Sequence, residues 1–501
     1  MTYGLILADN WNQFIDRRDG IRRNLQAHTS ANFLRDHGIQ VDVVDFWHDF
    51  AVNELEKILF KLKNKNPLFI GICSSMDKKY NDWDDLLSLI KNLLPLTKII
   101  IFGERALRLG YQNADLYIEG YSETALLQAV RYFSKEIDSV KYTSLDGQKL
   151  VDANTDYPND YQSHGFESKF LESDFVDHHE IYTISFSRGC IFKCAFCNHT
   201  AIGVRKHLFE RTKQSIIDEF LHAYNVLGIT KFMIQDSTFN DSDEKTELLL
   251  EIAKQIPEKL QIVCFLRPDL LYKQPGLLNK LISAGVVAVH FGIDTLNRET
   301  GKIVGKLIDP DVLKTYLKQV RQQYPDLYMF GTFIVGLPAD TEEHQHQTFD
   351  WLNNEKILDT WYWFPLSIKQ DNGYREVMSP IEQSYSKFGY KQKYKKIDLT
   401  AHGRGYRDKN LNAVNWENQH FSLEDAVLLS ATLNERSSPN KKTFNPWIMF
   451  NRSVVHRDVK FWLDYQADED TSGNLMEMYR KTQQFVDLYK QQKISYFELN
   501  L

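Results

Sequence analysis

Short apolar runs alternate with helical patterns twice along this chain of 501 residues, and this alternation limits the folds that the chain can adopt. The first set of runs lies at Tyr3–Ala8, Val41–Phe46, Leu68–Cys73, Lys98–Phe102 and Leu116–Ile118, with helical patterns at Leu55–Leu62, Leu86–Leu94 and Thr124–Phe133 between them. Such alternation is typical of parallel strands joined by helices. Residues 1–137 are therefore predicted to form a doubly wound, Rossmann-like or flavodoxin-like α/β domain that binds ligands at the carboxyl ends of its strands.

The second set of runs lies further along the chain, at Ile181–Ser187, Lys231–Asp236, Gln261–Leu266, Val287–Ile293, Tyr328–Val335 and Trp361–Leu366. Six strand and helix units are fewer than the eight of a closed barrel, which usually needs about 250 residues. Residues 179–369 are thus predicted to form a partial (β/α)6 barrel. Residues 138–178 lose periodicity and are interpreted as a linker, and residues 370–501 as a separate, mainly helical C-terminal region.

Bulk composition gives no reason to expect a nucleic-acid or membrane partner. Sixty Lys and Arg residues face 67 Asp and Glu residues, for a formal net charge of -7. The N-terminus has no basic segment before an apolar one, and no apolar run approaches the roughly 18 residues of a membrane span. A cytoplasmic location without a membrane span is expected.

Three of the five cysteines fall within eight residues, at Cys190, Cys194 and Cys197. Their C-x3-C-x2-C spacing directly follows the first strand of the predicted barrel, at the end where barrel active sites lie. Three thiolates can hold three irons of a [4Fe–4S] cluster and leave the fourth iron open to a small molecule. A structural zinc site that includes His199 is the alternative, although zinc modules usually take two ligands from each of two knuckles.

The spacing, with Phe196 as an aromatic residue before the last cysteine, resembles the hallmark of the radical S-adenosylmethionine (SAM) superfamily. The resemblance covers residues 178–368. It implies that SAM binds the open iron of the cluster and is cleaved by one-electron reduction to a 5′-deoxyadenosyl radical. The same resemblance implies a set of SAM-binding residues at the ends of successive strands: Phe196, Asp236, Ser237, Arg267, Asp294, Thr295, Gly336 and Pro338. Within this set, Asp236 resembles the ligand of the SAM amino group.

The doubly wound domain ahead of the barrel is similar to that of the cobalamin-dependent subfamily. The matching positions follow the predicted strands and would hold cobalamin: Asn10, Ser74, Ser75, Gly103, Glu119 and Gly120. No Asp-x-His-x-x-Gly motif follows the first strand, so no histidine ligand for cobalt is expected from that loop. A domain that has kept this fold and lost the cofactor is the alternative.

The resemblance implies a radical SAM enzyme that uses cobalamin to methylate an unactivated carbon. The alternatives are a cobalamin-assisted cyclisation, ring rearrangement or oxidation, cobalamin-free radical SAM chemistry, and an iron–sulfur regulatory binding protein. Too few cysteines remain for an auxiliary cluster or for a methylthiotransferase. The expected partners are a small-molecule or peptide substrate and an external one-electron reductant of the flavodoxin or ferredoxin type. Residues Trp361, Tyr362, Trp363 and Phe364 are interpreted as either substrate pocket or barrel core.

Overall fold

The computed structural model describes most of the chain, which is called the described part. It comprises residues 2–8, 22–73, 83–103, 109–145, 147–178, 180–197, 210–368, 379–393, 415–437 and 471–500, with side chains of the last segment described from residue 483. The chain divides into two compact units. The first contains Met1–Ile184, Leu208–Thr230 and Ser472–Leu501, and the second contains Ser185–His207 and Lys231–Thr471.

The first unit is built on a seven-stranded sheet. Its strands are β1 (Tyr3–Ala8), β2 (Gln40–Val44), β3 (Phe69–Cys73), β4 (Lys98–Gly103), β5 (Leu116–Glu119), β6 (Thr143–Leu145) and β7 (Gln148–Asp152). They lie in the order β2-β1-β3-β4-β5-β7-β6, and every pair except β6–β7 is parallel. The first five strands thus have the 2-1-3-4-5 order of flavodoxin-like sheets, which confirms the predicted fold class.

The helices of this unit include α1 (Leu25–Asp36), α2 (Val52–Leu62), α3 (Trp83–Leu93), α4 (Glu123–Phe133), α5 (Ala153–Asp156) and α6 (Lys213–Asn225). Helix α2 buries Leu55, Ile58, Leu59 and Leu62, which recur at the three- and four-residue spacing of one helix face. Asp152 caps α5 by accepting the backbone N–H groups of Asn154 and Thr155, both at 3.1 Å.

Two strands of the first sheet lie within the segment interpreted as a linker. Strand β7 pairs in parallel with β5 and antiparallel with β6, so residues 143–152 extend the sheet. Both strands are short, and most of their residues are not fully buried. Apolar alternation is therefore weak here, and the sequence pattern does not reveal these strands.

The second unit is built on strands that pair in parallel from β9 to β13. The complete six-stranded sheet has the order β13-β12-β11-β10-β9-β8, with β8 (Tyr182–Ile184), β9 (Lys231–Ile234), β10 (Gln261–Leu266), β11 (Val286–Asp294), β12 (Tyr328–Val335) and β13 (Thr360–Pro365). Its helices include α7 (Asp243–Gln255), α8 (Pro268–Lys273), α9 (Leu277–Ser283), α10 (Arg298–Val304), α11 (Pro310–Gln323) and α12 (Glu342–Glu355). This sequential order is that of the predicted partial barrel.

The residues after β13 pack against the end of this sheet. They form α13 (Pro380–Gln383), the antiparallel strands β14 (Lys391–Lys393) and β15 (Asn415–Glu417), and α14 (Leu423–Arg436). Trp416 is fully buried, and its indole Nε1 donates to the carbonyl of Leu366 at 3.1 Å. Asn434 of α14 accepts from the backbone N–H of Trp363 at 3.1 Å.

The last helix, α15 (Thr471–Asn500), packs within the first unit and not with the other C-terminal residues. The hydroxyl of Tyr489 accepts from the backbone N–H of Asp45 at 2.8 Å, and the fully buried Lys493 donates to the carbonyl of Ser173 at 2.7 Å. Residues 370–501 are therefore not one separate region. Among the described residues, no helix combines the length and the apolar character that crossing a bilayer requires.

Candidate active site

The three cysteines lie on a loop that opens the second unit and is anchored through its backbone. The N–H of Ala195 donates to the carbonyl of Val304 at 3.0 Å, and the carbonyl of Ala195 accepts from Ile381 at 2.9 Å. The N–H of Cys197 donates to the carbonyl of Cys194 at 3.0 Å, which turns the chain between these two thiols. Because these bonds use main-chain atoms, they leave the thiols available as ligands.

Each of two cysteine sulfurs lies close to a polar side chain from a neighbouring strand end. The sulfur of Cys190 is 3.6 Å from the hydroxyl of Thr238, and the sulfur of Cys194 is 3.5 Å from Nη1 of Arg267. Hydrogen bonds to sulfur are a usual feature of protein-bound iron–sulfur clusters and tune their potentials. Three soft donors on one loop, with hydrogen-bonding groups beside two of them, fit a [4Fe–4S] cluster.

Arg267 is held in place by two side chains, those of Asp269 and Phe192. Its Nε and Nη2 donate to the two carboxylate oxygens of Asp269 at 2.9 and 2.8 Å, and its guanidinium lies 4.0 Å from the ring centroid of Phe192. Burial lowers the pKa of Arg267, but the hydrogen bonds and charge of Asp269 outweigh burial, so the pKa is raised. A permanent positive charge therefore lies beside Cys194.

Lys306 brings a second positive charge to the same cysteine. Its Nζ donates to the carbonyl of Gly292 at 2.7 Å and pairs with a carboxylate oxygen of Asp294 at 2.7 Å. Burial raises the pKa of the Cys194 thiol, whereas the charges of Lys306 and Arg267 oppose that shift. Asp294 itself has a φ of +65°, so its backbone is in the left-handed region that non-glycine residues seldom adopt.

A small cleft that opens to solvent lies beside these charges and is lined in part by Asp269, Gly292, Thr295, Asn297 and Lys306. The hydroxyl of Thr295 accepts from the backbone N–H of Asn297 at 3.1 Å. The structure thus brings the predicted residues Arg267, Asp294 and Thr295 to the edge that carries the cysteines. The sequence pattern did not identify Lys306 or Asn297, which lie beyond the strand ends.

Asp236 is committed to contacts within the chain. Its carboxylate accepts the backbone N–H of Phe186 at 2.7 Å, the backbone N–H and hydroxyl of Ser187 at 3.1 and 2.9 Å, and Nζ of Lys245 at 2.7 Å. The side chain is 1% exposed. These bonds fix the chain three residues before Cys190, a geometry that favours positioning of the cysteine loop over direct contact with the SAM ammonium.

Lys245 completes this buried network. Its Nζ also donates to the hydroxyl of Ser187 at 2.6 Å and pairs with Asp241 at 3.0 Å. Burial lowers the pKa of Lys245, but the charges of Asp236 and Asp241 outweigh burial and raise it, so the ammonium stays charged. Lys245, which the sequence pattern did not identify, lies on α7, nine residues after Asp236.

The remaining predicted SAM-binding residues are Phe196, Ser237, Gly336 and Pro338. Ser237 and Phe196 are half-buried, and Pro338 is buried three residues after the end of β12. Gly336 has a φ of +92°, and a β-carbon there would lie 2.5 Å from the ring of Trp416. Its carbonyl accepts from the hydroxyl of Tyr390 at 2.8 Å. The glycine thus allows close packing of the C-terminal segment at this position.

In the first unit, three predicted cobalamin residues meet at one edge of the sheet. Gly103 and Glu119 are paired at the ends of β4 and β5, and the N–H of Gly120 donates to the carbonyl of Gly103 at 2.8 Å. Gly120 has a φ of +111°, and a β-carbon there would lie 2.9 Å from the Asn154 side chain. The predicted residues Asn10, Ser74 and Ser75 lie outside the described residues.

The zinc alternative depends on His199, which also lies outside the described residues. Among the residues that are described, no three His, Cys, Asp or Glu side chains are grouped so as to hold a single metal ion.

We expect Arg267 to raise the reduction potential of the cluster, because a positive charge stabilises the electron that the cluster gains. Replacing Arg267 by glutamine removes this charge and should lower the potential by roughly 60 mV, equivalent to a tenfold change in the one-electron equilibrium. Potentiometric titration followed by paramagnetic resonance measures this shift. Lys302→Gln, on the exposed face of α10, is the control; an equal shift in the control would contradict the assignment.

Parts of the chain are similar in sequence to known proteins. Residues 184–352 match the family model described as the radical SAM superfamily. Cytidylyl-2-hydroxyethylphosphonate methyltransferase of Streptomyces wedmorensis is 28% identical over 177 residues, which cover 34% of this chain and 32% of that protein. Ribosomal protein uS12 methylthiotransferase RimO of Thermodesulfovibrio yellowstonii is 24% identical over 311 residues, covering 58% of this chain and 64% of that protein. The chain thus spans less than two thirds of either relative's length.

Two solved structures share the fold over nearly the whole chain. The radical SAM methyltransferase TsrM of Kitasatospora setae, with cobalamin and a [4Fe–4S] cluster bound, has a TM-score of 0.62 at 13% identity and covers 97% of this chain and 100% of its own. The cobalamin-dependent SAM radical enzyme OxsB has a TM-score of 0.57 at 12% identity, and the match covers 100% of this chain and 81% of the OxsB chain. At these identities the likeness concerns the fold. The family match covers the part of the chain that carries the three-cysteine loop, so residues 184–352 correspond to a radical SAM domain.

Proposed function

We propose that the protein is a cobalamin-dependent radical SAM enzyme that methylates an unactivated carbon. The observation that carries this proposal is the combination of two units in one chain. The second unit presents the C-x3-C-x2-C loop beside Arg267 and Lys306. The first unit has the 2-1-3-4-5 strand order, and the whole chain shares the fold of a methyltransferase that binds cobalamin.

The groups at the cysteine loop suit the binding of SAM. Cys190, Cys194 and Cys197 would hold three irons, and SAM would take the fourth. Asp269 and Asp294 each offer a carboxylate paired with a cation beside the cleft, where a positively charged sulfonium would be stabilised. When bound, the cluster supplies the electron that cleaves SAM, and the corrinoid carries the methyl group.

The first unit offers a suitable edge for a corrinoid. The carboxyl ends of β1, β3 and β4 lie side by side, as the pairings of Ala8 with Cys73 and of Cys73 with Phe102 show. Doubly wound sheets bind their cofactors at this edge. Gly103, Glu119 and Gly120 border it, and Asn10, Ser74 and Ser75 follow the same strands in the sequence. These residues are our candidates for contact with cobalamin.

The proposal also implies partners. A one-electron reductant of the flavodoxin or ferredoxin type would reduce the cluster, and a small molecule or a peptide would be the substrate. A cytoplasmic site of action would supply such reductants.

The proposal is tested by purifying the protein anaerobically with hydroxocobalamin and adding SAM that carries a labelled methyl group. We expect about one corrinoid per chain, without a histidine ligand to cobalt in its paramagnetic resonance spectrum, and recovery of label with the corrinoid. This readout needs no knowledge of the substrate.

Two other results would contradict the proposal in different ways. Release of 5′-deoxyadenosine without any retained corrinoid would indicate cobalamin-free radical SAM chemistry. A bound cluster with neither SAM cleavage nor corrinoid would indicate an iron–sulfur binding protein.

A further inference from the structure

The two faces of strand β13 differ in their surroundings. Trp361 and Trp363 are 2% and 0% exposed, and their indole Nε1 atoms donate to Ser437 at 3.2 Å and to Gln345 at 2.9 Å, respectively. They therefore pack against α14 and α12. Tyr362 and Phe364 alternate with them and lie on the opposite face, where Phe364 is 37% exposed and the two rings are 4.7 Å apart. Trp361 and Trp363 are therefore part of the barrel core, whereas Tyr362 and Phe364 line a surface of the sheet.

The same face continues across the neighbouring strands. Thr332 of β12 is in register with Tyr362, and its hydroxyl lies 3.1 Å from Nε2 of His290 on β11. The His290 ring stacks on Phe330 at 4.5 Å and meets the edge of Phe265, on β10, at 5.1 Å. We name the surface formed by Phe265, His290, Thr332, Tyr362 and Phe364 the inner face.

The inner face leads toward the cysteine loop. Gly292 lies two residues after His290, so a side chain there would point to the same side. A β-carbon at Gly292 would approach only Nζ of Lys306, at 3.7 Å, and a carboxylate oxygen of Asp294, at 3.8 Å. The charge of Lys306 acts on both His290 and Cys194. The position of Gly292 therefore leaves room for additional atoms on this side of the sheet, because both contacts are at ordinary van der Waals distance.

The chemistry of the inner face is largely apolar. Three of its five side chains are aromatic, and the polar pair His290–Thr332 carries no charge, because burial, assisted by Lys306, lowers the pKa of His290 to about 3. The nearby charges form the ion pairs Arg267–Asp269 and Lys306–Asp294. Both of these cations, within the described part of the chain, already have a carboxylate partner, so an anionic substrate group on this face would compete for them and would lose its hydration.

We propose that the inner face binds the reacting portion of the substrate, and that this portion is an uncharged, flat, apolar group with one hydrogen-bonding atom directed at the His290–Thr332 pair. This inference rests on the proposed function, because it takes the cysteine loop as the place of the chemistry. It deepens that function by assigning a substrate class. Flat groups suit the face because aromatic side chains pack well against other ring faces.

The test uses three probes with one ring system: 2-naphthol, naphthalene and naphthalene-2-sulfonate. Binding to the cluster-loaded protein is measured by ligand-observed magnetic resonance titration. We expect 2-naphthol to bind at least tenfold more tightly than the sulfonate, and Gly292→Leu, which fills the space above His290, to abolish binding of all three. Thr332→Val and His290→Leu should reduce the affinity for 2-naphthol to that for naphthalene.

Thr315→Val is the matched control, because Thr315 is exposed on α11 and its hydroxyl bonds only within that helix, to Asp311. Iron content and thermal midpoint of each variant show whether it folds. Tighter binding of the sulfonate, or binding of 2-naphthol that survives Gly292→Leu in a folded variant, would overturn the inference. SAM cleavage in the same preparations tests the proposed function separately, since that measurement needs no probe.

Discussion

Replacing Cys190, Cys194 and Cys197 together by alanine is expected to reduce the iron content from about four atoms per chain to nearly none. The three thiols are the only cysteines on the loop, and Arg267 and Thr238 lie beside two of the sulfurs. The loop itself should keep its place, because Ala195 is anchored by main-chain bonds to Val304 and Ile381. Iron and zinc analysis after anaerobic reconstitution measures the effect.

The control for this prediction is the pair Cys73→Ala and Cys264→Ala. Both side chains are fully buried within strands, and burial raises the pKa of the Cys264 thiol well above its usual value. Neither is placed to bind iron, so iron content should not change. Stoichiometric zinc in the parent protein, with no iron, would favour the zinc site instead.

The strands of the second sheet could be predicted from the sequence closely. Gln261–Leu266 and Tyr328–Val335 are observed with the predicted bounds, and the last strand is Thr360–Pro365, shifted by one residue from the prediction. These strands are buried on at least one face by helices and read as continuous apolar runs. Because parallel strands end at the same edge, the residues that the resemblance implied at strand ends include Arg267, which lies beside Cys194, and Asp294, which pairs with Lys306.

The polar parts of the core could not be predicted in this way. Lys493 and Tyr489 of α15 are buried, and Arg23 of the first unit pairs with Asp45 and Glu180, both at 2.7 Å. Such groups are buried only because partners distant in sequence satisfy them. No local pattern identifies these partners, so the place of the last helix within the first unit was missed.

The role of Asp236 could likewise not be predicted from the sequence pattern, because it depends on partners that are distant in sequence. Its position after β9 correctly indicated proximity to the cysteine loop. Whether its carboxylate meets a ligand or the chain depends on Lys245 and Ser187, which the fold brings to it. The two roles lead to different expected results for the same substitution.

Asp236→Ala is expected to destabilise the second unit strongly. The substitution leaves the Lys245 ammonium, which is 4% exposed, with Asp241 as its remaining charged partner, and it removes the acceptor of the Phe186 and Ser187 N–H groups. Each buried donor that is left without an acceptor costs about 1–3 kcal/mol. The thermal midpoint of the apoprotein should therefore fall by roughly 10 °C, and reconstituted iron should fall with it because the chain before Cys190 is released.

A triple variant separates the ion-pair network from a contact with SAM. Asp236→Asn combined with Lys245→Met and Asp241→Asn removes all three charges of the network and keeps an acceptor oxygen at position 236, so much of the lost stability should return, because no charged member of this buried network remains. Asp311→Ala, at an exposed carboxylate of α11, should leave the midpoint unchanged. Direct binding of the SAM ammonium by Asp236 predicts the opposite pattern: an unchanged midpoint in Asp236→Ala, full iron, and weaker SAM binding that the triple variant does not recover. Calorimetry of the apoproteins and SAM titration of the loaded proteins distinguish the two roles.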